Sequence, residues 1–382
     1  MARGHKSGAM FCVLGLACAA VPAAEWSAAP TFSLGTDFDT NRRLTDPASE
    51  SQAAQFGATV TLARVTATHK LSLRPRFEAR RYDKSNQVLD SNDGGVDLRF
   101  VRQGERSTFT ASATAAEDST LTTELADTGI VEGSARRRLL TAGADVTMAV
   151  GERSRVQAGA SFVDVDFDDA VGTGLAPYSY PGVFLGVSLD ATDRTQLSFT
   201  ANGSRFDSPT TRTNIDNFSV RATWQSQVSE QFRLELNGGV NRSESAFAHE
   251  QGPVFGVTGS WNTPRTSLSF GLARDVEPSA NGRMVKADSV EGSWRWNLGE
   301  RTTLTTALRH ARREDLLFGQ FLERREYSTL HAALGWRLNM NWNLQLRAGV
   351  ASQSYERSGF EADGERIALS FSWAPDKYAV SR

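Results

Sequence analysis

The chain has 382 residues, with 42 Lys and Arg against 44 Asp and Glu and a formal net charge of −2, a balance that leaves no polybasic footprint for nucleic acid. A mean hydropathy of −0.37, with no run of about eighteen apolar residues beyond the N-terminus, excludes a helical membrane protein. It does not exclude a transmembrane barrel, whose strands are only half apolar.

Residues 1–24 read as a cleaved secretory signal. Arg3, His5 and Lys6 form a basic start, Ala9 to Val21 is apolar, and small residues follow, so cleavage is expected after Ala23 or Ala24. Both cysteines, Cys12 and Cys18, fall inside it. An exported chain without disulfides must hold together by other means, and closing a hydrogen-bonded barrel is one. Residues 25–30, with Trp26, are expected to be a short periplasmic segment before the barrel.

From Thr31 to Ala374 alternating segments recur to the end. In Lys70–Lys84, Leu71, Leu73, Phe77 and Ala79 share one parity, while Ser72, Arg74, Arg76, Glu78 and Arg80 share the other. Such a strand needs water on one face and an apolar medium on the other. Pro75 interrupts it, and a bulge there is expected to absorb the missing donor. Similar segments follow, among them "STFTASAT", "GVFLGVSL", "TSLSFGLAR" and "RIALSFSW". They amount to about eighteen strands, an even number as in single-chain bacterial barrels.

Connections alternate in length. Tight turns are expected near residues 65–66, 103–105, 151–153, 190–193, 226–229, 262–264, 298–300 and 338–341, with longer polar loops between them. Short periplasmic turns alternating with longer outer loops are what a barrel with both termini periplasmic requires. Trp224, Trp261, Trp294, Trp296, Trp336, Trp342 and Trp373 all lie beside a tight turn or at the final strand end, and on the apolar parity they form an aromatic girdle at one membrane boundary. Residues 375–382 are expected to be a tail.

These features resemble bacterial outer-membrane β-barrel proteins, and among them the porin-type barrels that accompany exopolysaccharide export. The resemblance implies an all-β fold, a closed antiparallel transmembrane barrel in the outer membrane of a Gram-negative bacterium. It also implies outer-membrane lipid and the barrel-assembly machinery as partners, the latter through the final strand, where Ile367, Leu369 and Phe371 follow Gly364.

If the apolar parity meets lipid, the other parity lines the pore. It carries Arg74, Arg76, Arg80, Arg99, Arg137, Arg155, Arg221, Arg233, Arg295, Arg309, Arg337, Arg347 and Arg366, against Glu78, Asp97, Asp145, Glu235 and Glu291. A net basic lumen enriches anions, so the expected function is a porin-like channel for anionic solutes or an acidic exopolysaccharide, with periplasmic export components as partners. The alternative is a non-conducting structural or adhesive barrel acting through its loops, with Tyr178, Tyr180, Phe318 and Phe321 as loop aromatics able to stack on sugars.

A hydrolase is the third reading. His310 and His331 fall on opposite parities, His69 lies near a turn and His249 is expected on a loop. No G-x-S-x-G, P-loop or H-E-x-x-H motif occurs. Asp164–Gly174 lacks the spacing of a calcium loop and reads as a solvated acidic segment. No enzyme, cofactor or metal is expected.

Overall fold

Alternation along each segment, rich in Thr, Val, Phe and Ala, commits the backbone to extended structure with two chemically different faces. In the computed structural model, which describes residues 24–83, 89–120, 135–168, 173–246, 249–316 and 324–381, the elements are all strands. In chain order they are β1 (Glu25–Asp39), β2 (Ser51–Val65), β3 (His69–Tyr82), β4 (Ser91–Gln103), β5 (Ser107–Ser119) and β6 (Arg136–Ala149). Then come β7 (Ser154–Asp168), β8 (Tyr178–Thr192), β9 (Thr195–Ser208), β10 (Thr213–Gln227), β11 (Phe232–Ser245) and β12 (His249–Asn262). The last are β13 (Thr266–Ser279), β14 (Arg283–Asn297), β15 (Thr302–Asp315), β16 (Arg324–Arg337), β17 (Trp342–Tyr355), β18 (Phe360–Trp373) and the short β19 (Tyr378–Ser381).

Each strand from β1 to β18 pairs antiparallel with its sequence neighbours. The sheet closes where Phe32–Asp39 of β1 meets Arg366–Trp373 of β18. Closure leaves no edge among the eighteen, which solves the problem of unpaired backbone groups. Followed once around, the registers accumulate a shear of about 22 residues, which fixes a strand tilt of roughly 40° and a backbone diameter of roughly 36 Å.

The turns lie where the sequence placed them, and at this end the hairpins are linked by a repeated bond. The carbonyl of the last turn residue (Thr68, Arg106, Arg153, Arg194, Gln231, Arg265, Arg301, Asn341) accepts from the N–H at the end of the following hairpin's second strand. We call this the turn end and the opposite mouth the loop end.

Three expectations change. Residues 25–30 belong to β1, and Trp26 lies on the outer face under the Arg64 guanidinium, 5.5 Å from the ring centre. The tail is partly ordered, because β1 descends past Trp373 and exposes backbone groups that β19 pairs, Glu25–Ala28 against Tyr378–Ser381. Pro75 makes no bulge. Its ladder with β2 breaks between Thr59–Arg76 and Leu62–Leu73 and resumes in the same register, while Pro75 still faces Val96 of β4. Omitting pairs around one residue is enough for a ring that cannot donate. The signal lies outside the described residues, apart from Ala24.

Candidate functional site: the barrel lumen

Which face is inner follows from contacts that skip strands. Arg221 donates to Asp275 at 2.6 Å, joining β10 to β13, and Arg313 donates to Glu277 at 3.0 Å, joining β15 to β13. Only the concave side permits such contacts. Extending this parity through the registers puts all of the predicted lining residues on the inner face: Arg74, Arg76, Glu78, Arg80, Asp97, Arg99, Arg155, Arg221, Arg233, Glu235, Glu291, Arg295, Arg309, Arg337, Arg347 and Arg366.

The outer parity is aliphatic and uncovered, as Leu34 and Val183 (each 62 % exposed) and Leu185 (57 %) show. On β7, β10, β14 and β16 it runs for about four outward residues, and at the tilt above this gives a belt roughly 20–25 Å high. The seven tryptophans line its turn-end boundary on this face, Trp294 against Trp296 and Trp342 against Trp373, with ring centres 5.6 and 5.7 Å apart. Toward the loop end the outer face turns ionic, with pairs such as Arg274–Asp288 at 2.6 Å and Arg324–Glu356 at 2.7 Å.

Inside, charge is distributed unevenly along the axis. At the loop end the arginines are paired: Arg137 with Asp118 at 2.9 Å, Arg283 and Arg325 with Asp315 at 2.7 and 3.3 Å, and Arg366 with Asp37 at 3.1 Å. Arg42, carried in by the β1–β2 connection, also pairs with Asp37. Arg80, two residues from the loop end of β3, pairs with Glu78 (2.5 Å); lower down, Arg74 pairs with Asp97 (3.0 Å), Arg155 with Asp190 (2.7 Å) and Arg309 with Glu291 (3.2 Å). Among the described residues Arg76, Arg99, Arg233, Arg295 and Arg347 have no carboxylate within ion-pair distance. The luminal excess of cations is therefore smaller than the sequence count suggested, because strand-end acids such as Asp37, Asp190, Asp275 and Asp315 also point inward. What remains unpaired lies mostly toward the turn end.

The loop end is also the most densely packed part of the interior. There the inner face carries packed apolar clusters beside the ion pairs. Ala135, Val165, Phe167 and Leu175 cluster with Ala280, and Phe206 and Ile215 cluster with Met284 and Leu316. The β13–β14 tip reaches over the mouth: Ala176 donates its N–H to the Ala280 carbonyl at 2.8 Å, and Thr211 its hydroxyl to the Gly282 carbonyl at 2.9 Å. Opposite, Leu44 of the β1–β2 connection packs on Tyr327 and Ala362, and Gln353 donates to its carbonyl at 3.3 Å. Sequence reading missed this core, because an apolar residue on the polar parity signals nothing until its distant partner is known.

Tyr178 and Tyr180 therefore do not stand on outer loops. They are on β8, facing inward, where Tyr178 packs on Phe206 with ring centres 5.5 Å apart and Ser204 donates to the Tyr180 hydroxyl at 2.8 Å. Phe318 and Phe321 lie outside the described residues. His249 opens β12 instead of lying on a loop.

His310 faces outward and His331 inward, and His310 Nδ1 lies 2.9 Å from Ser328 Oγ. This serine–histidine pair went unnoticed in the sequence. Its surroundings do not suit acyl transfer. No carboxylate orients the other ring nitrogen among the described residues, and both strands are committed to ladder hydrogen bonds, so no pair of N–H groups is left for an oxyanion. No group of three or more His, Cys, Asp or Glu among the described residues is placed to hold a metal ion.

No protein-family model matches the chain, and no curated protein matches it in sequence. Among solved structures it is similar to OpdK of Pseudomonas aeruginosa with vanillate, at 13 % identity and a TM-score of 0.51, covering 92 % of this chain and 99 % of that one. It is also similar to OccK9 (OpdG) of the same organism, at 13 % identity and a TM-score of 0.51, covering 92 % and 98 %. These likenesses establish the fold, an eighteen-stranded barrel of the kind found in outer-membrane porins. They do not bear on polysaccharide export, so that association is left without support.

Proposed function

We propose that the protein is an outer-membrane porin-type channel, with its turns and both termini periplasmic and its tryptophans at the inner lipid boundary, that passes small anionic solutes. The observation that carries this reading is the pairing of an uncovered aliphatic belt outside with a polar inner wall on which several arginines have no ion-pair partner among the described residues. A roughly 36 Å backbone diameter leaves room for water between side chains, and guanidinium forks suit carboxylates and phosphates. The vanillate of the OpdK structure supports a small carboxylate as the first solute to try. The apolar packing at the loop end favours small solutes over a polysaccharide chain, which would need a clear bore through both mouths. Ile367, Leu369 and Phe371, outward on β18, support handling by the barrel-assembly machinery.

That same packing favours a second reading, a barrel closed at rest that acts through its loop-end surface. Conductance across a planar bilayer under a KCl gradient separates the two. The channel reading predicts discrete openings with a reversal potential on the anion side. Absence of current above the bare bilayer contradicts it.

A further inference from the structure

Two cavities lie inside the turn end, on different arcs of the wall. One, of 680 Å³, is lined by Arg153, Arg155, Arg194 and Arg233 together with Glu152, Asp190 and Asp193. Its charges nearly cancel, and Arg155–Asp190 and Arg153–Asp193 are paired at 2.7 and 3.6 Å. The other, of 780 Å³, is lined by Arg265, Arg295, Arg301 and Arg337, with Glu300 as its one acid. None of these four arginines is ion-paired among the described residues. Arg337 is held by a 2.7 Å bond to the Glu300 carbonyl, which orients the guanidinium without neutralising it.

The fold explains this concentration. Arg265 and Arg301 occupy the same position in two successive turns, the residue whose carbonyl ties one hairpin to the next, and this fixes the start of each side chain at the rim. Arg295 and Arg337 lie just inside, on β14 and β16. Between them the wall is low: Arg295 stands opposite Thr305, Thr305 opposite Ala333, and Gly335 faces Thr303. A methyl group added at Gly335 would meet nothing closer than the Thr303 carbonyl at 3.7 Å. Small residues thus make a floor and arginines make its two banks.

We propose that this cradle is a binding site for a multivalent oxyanion, one bearing several phosphate or carboxylate groups. The inference rests on reading the lumen as water-filled and goes beyond it in valence and in side. The cations span β13 to β16, roughly 14 Å at the interstrand spacing, whereas one carboxylate occupies one guanidinium fork. A monovalent anion would neutralise one arginine and leave the others unmatched. A ligand with three or more charges matches the surplus of four arginines over one glutamate.

The test is titration of inorganic tripolyphosphate into the purified barrel in uncharged detergent at low salt, followed by calorimetry, with acetate as the monovalent control. Saturable tripolyphosphate binding is expected, weakened by about tenfold in R295Q/R337Q and unchanged in R155Q/R233Q, which alters the balanced cavity. No saturable binding overturns the proposal, as does binding lost equally in the two double variants. R265Q and R301Q, on the turns, carry the same readout singly if the double variant does not fold. Micelle binding needs no conduction, so a barrel that binds but passes no current refutes the channel reading while leaving this site intact.

Discussion

Phe206→Ala tests the loop-end closure directly. The Phe206 ring is fully buried against Ile215, Met284 and Leu316 and lies tilted beside Tyr178. Truncating such a ring costs about 3–5 kcal/mol, from lost transfer energy and the cavity left behind. The barrel itself should not bear that cost, because the ladder of β9 with β10 needs no side chain from position 206. It falls on the docking of the β13–β14 tip, which brings Met284 into the cluster. A loss of about 3 kcal/mol shifts the docked-to-undocked ratio about 150-fold, so a mouth undocked once in a thousand would be undocked about an eighth of the time. Single-channel recording at fixed voltage reads this as a rise in open probability, with Phe206→Leu falling between the two. Openings of unchanged frequency and size in a folded Phe206→Ala barrel would refute the idea that this core closes the mouth.

Gly282→Val should reach the same end by another route. Gly282 has φ of 73°, and a Cβ there would lie 2.6 Å from Ser208 Oγ and 2.8 Å from Ala176 Cβ, so the tip cannot stay docked and open probability should rise while heat-modifiable migration on gels persists. Replacing Arg99, Arg233, Arg295 and Arg347 with Gln should lower the anion-to-cation permeability ratio about eightfold at 0.1 M salt and hardly at all at 1 M, taking each charge as about 10 Å from the axis; a reversal potential that does not move would contradict this. Brominated lipids should quench the tryptophan emission of the folded barrel, and Trp336→Phe with Trp342→Phe should reduce the quenched fraction; emission indifferent to bromine depth would remove the girdle.

Strand faces were legible in the sequence because a period of two needs only local information. Arg74, Leu73 and Glu78 declare their sides without reference to any other strand. Turn positions were legible for the same reason. The long-range content was not. Phe206, Ile215 and Val165 fall on the polar parity and Met284 lies near the tip of its hairpin, and only the folded mouth supplies the partners that bury them. The luminal charge was overstated because Asp37, Asp190, Asp275 and Asp315 sit at strand ends, where a count of strand cores leaves them out. Trp26 and the segment from Tyr378 to Ser381 were placed outside the barrel, since the pairing that recruits them joins opposite ends of the chain. Pro75 showed that skipping two pairs can replace the bulge that local reasoning asked for.

Cysteine substitution along β17, in a background where both native cysteines fall within the first 23 residues, puts the central claim to the shortest test. Thiols at positions 343, 345 and 347 should react quickly with a charged, water-soluble methanethiosulfonate in the lipid-embedded protein. Thiols at 344, 346 and 348 should be inert to it and reactive toward a lipid-soluble maleimide. Uniform reactivity along the strand, or the opposite alternation, would mean that oil does not lie outside this wall nor water within it.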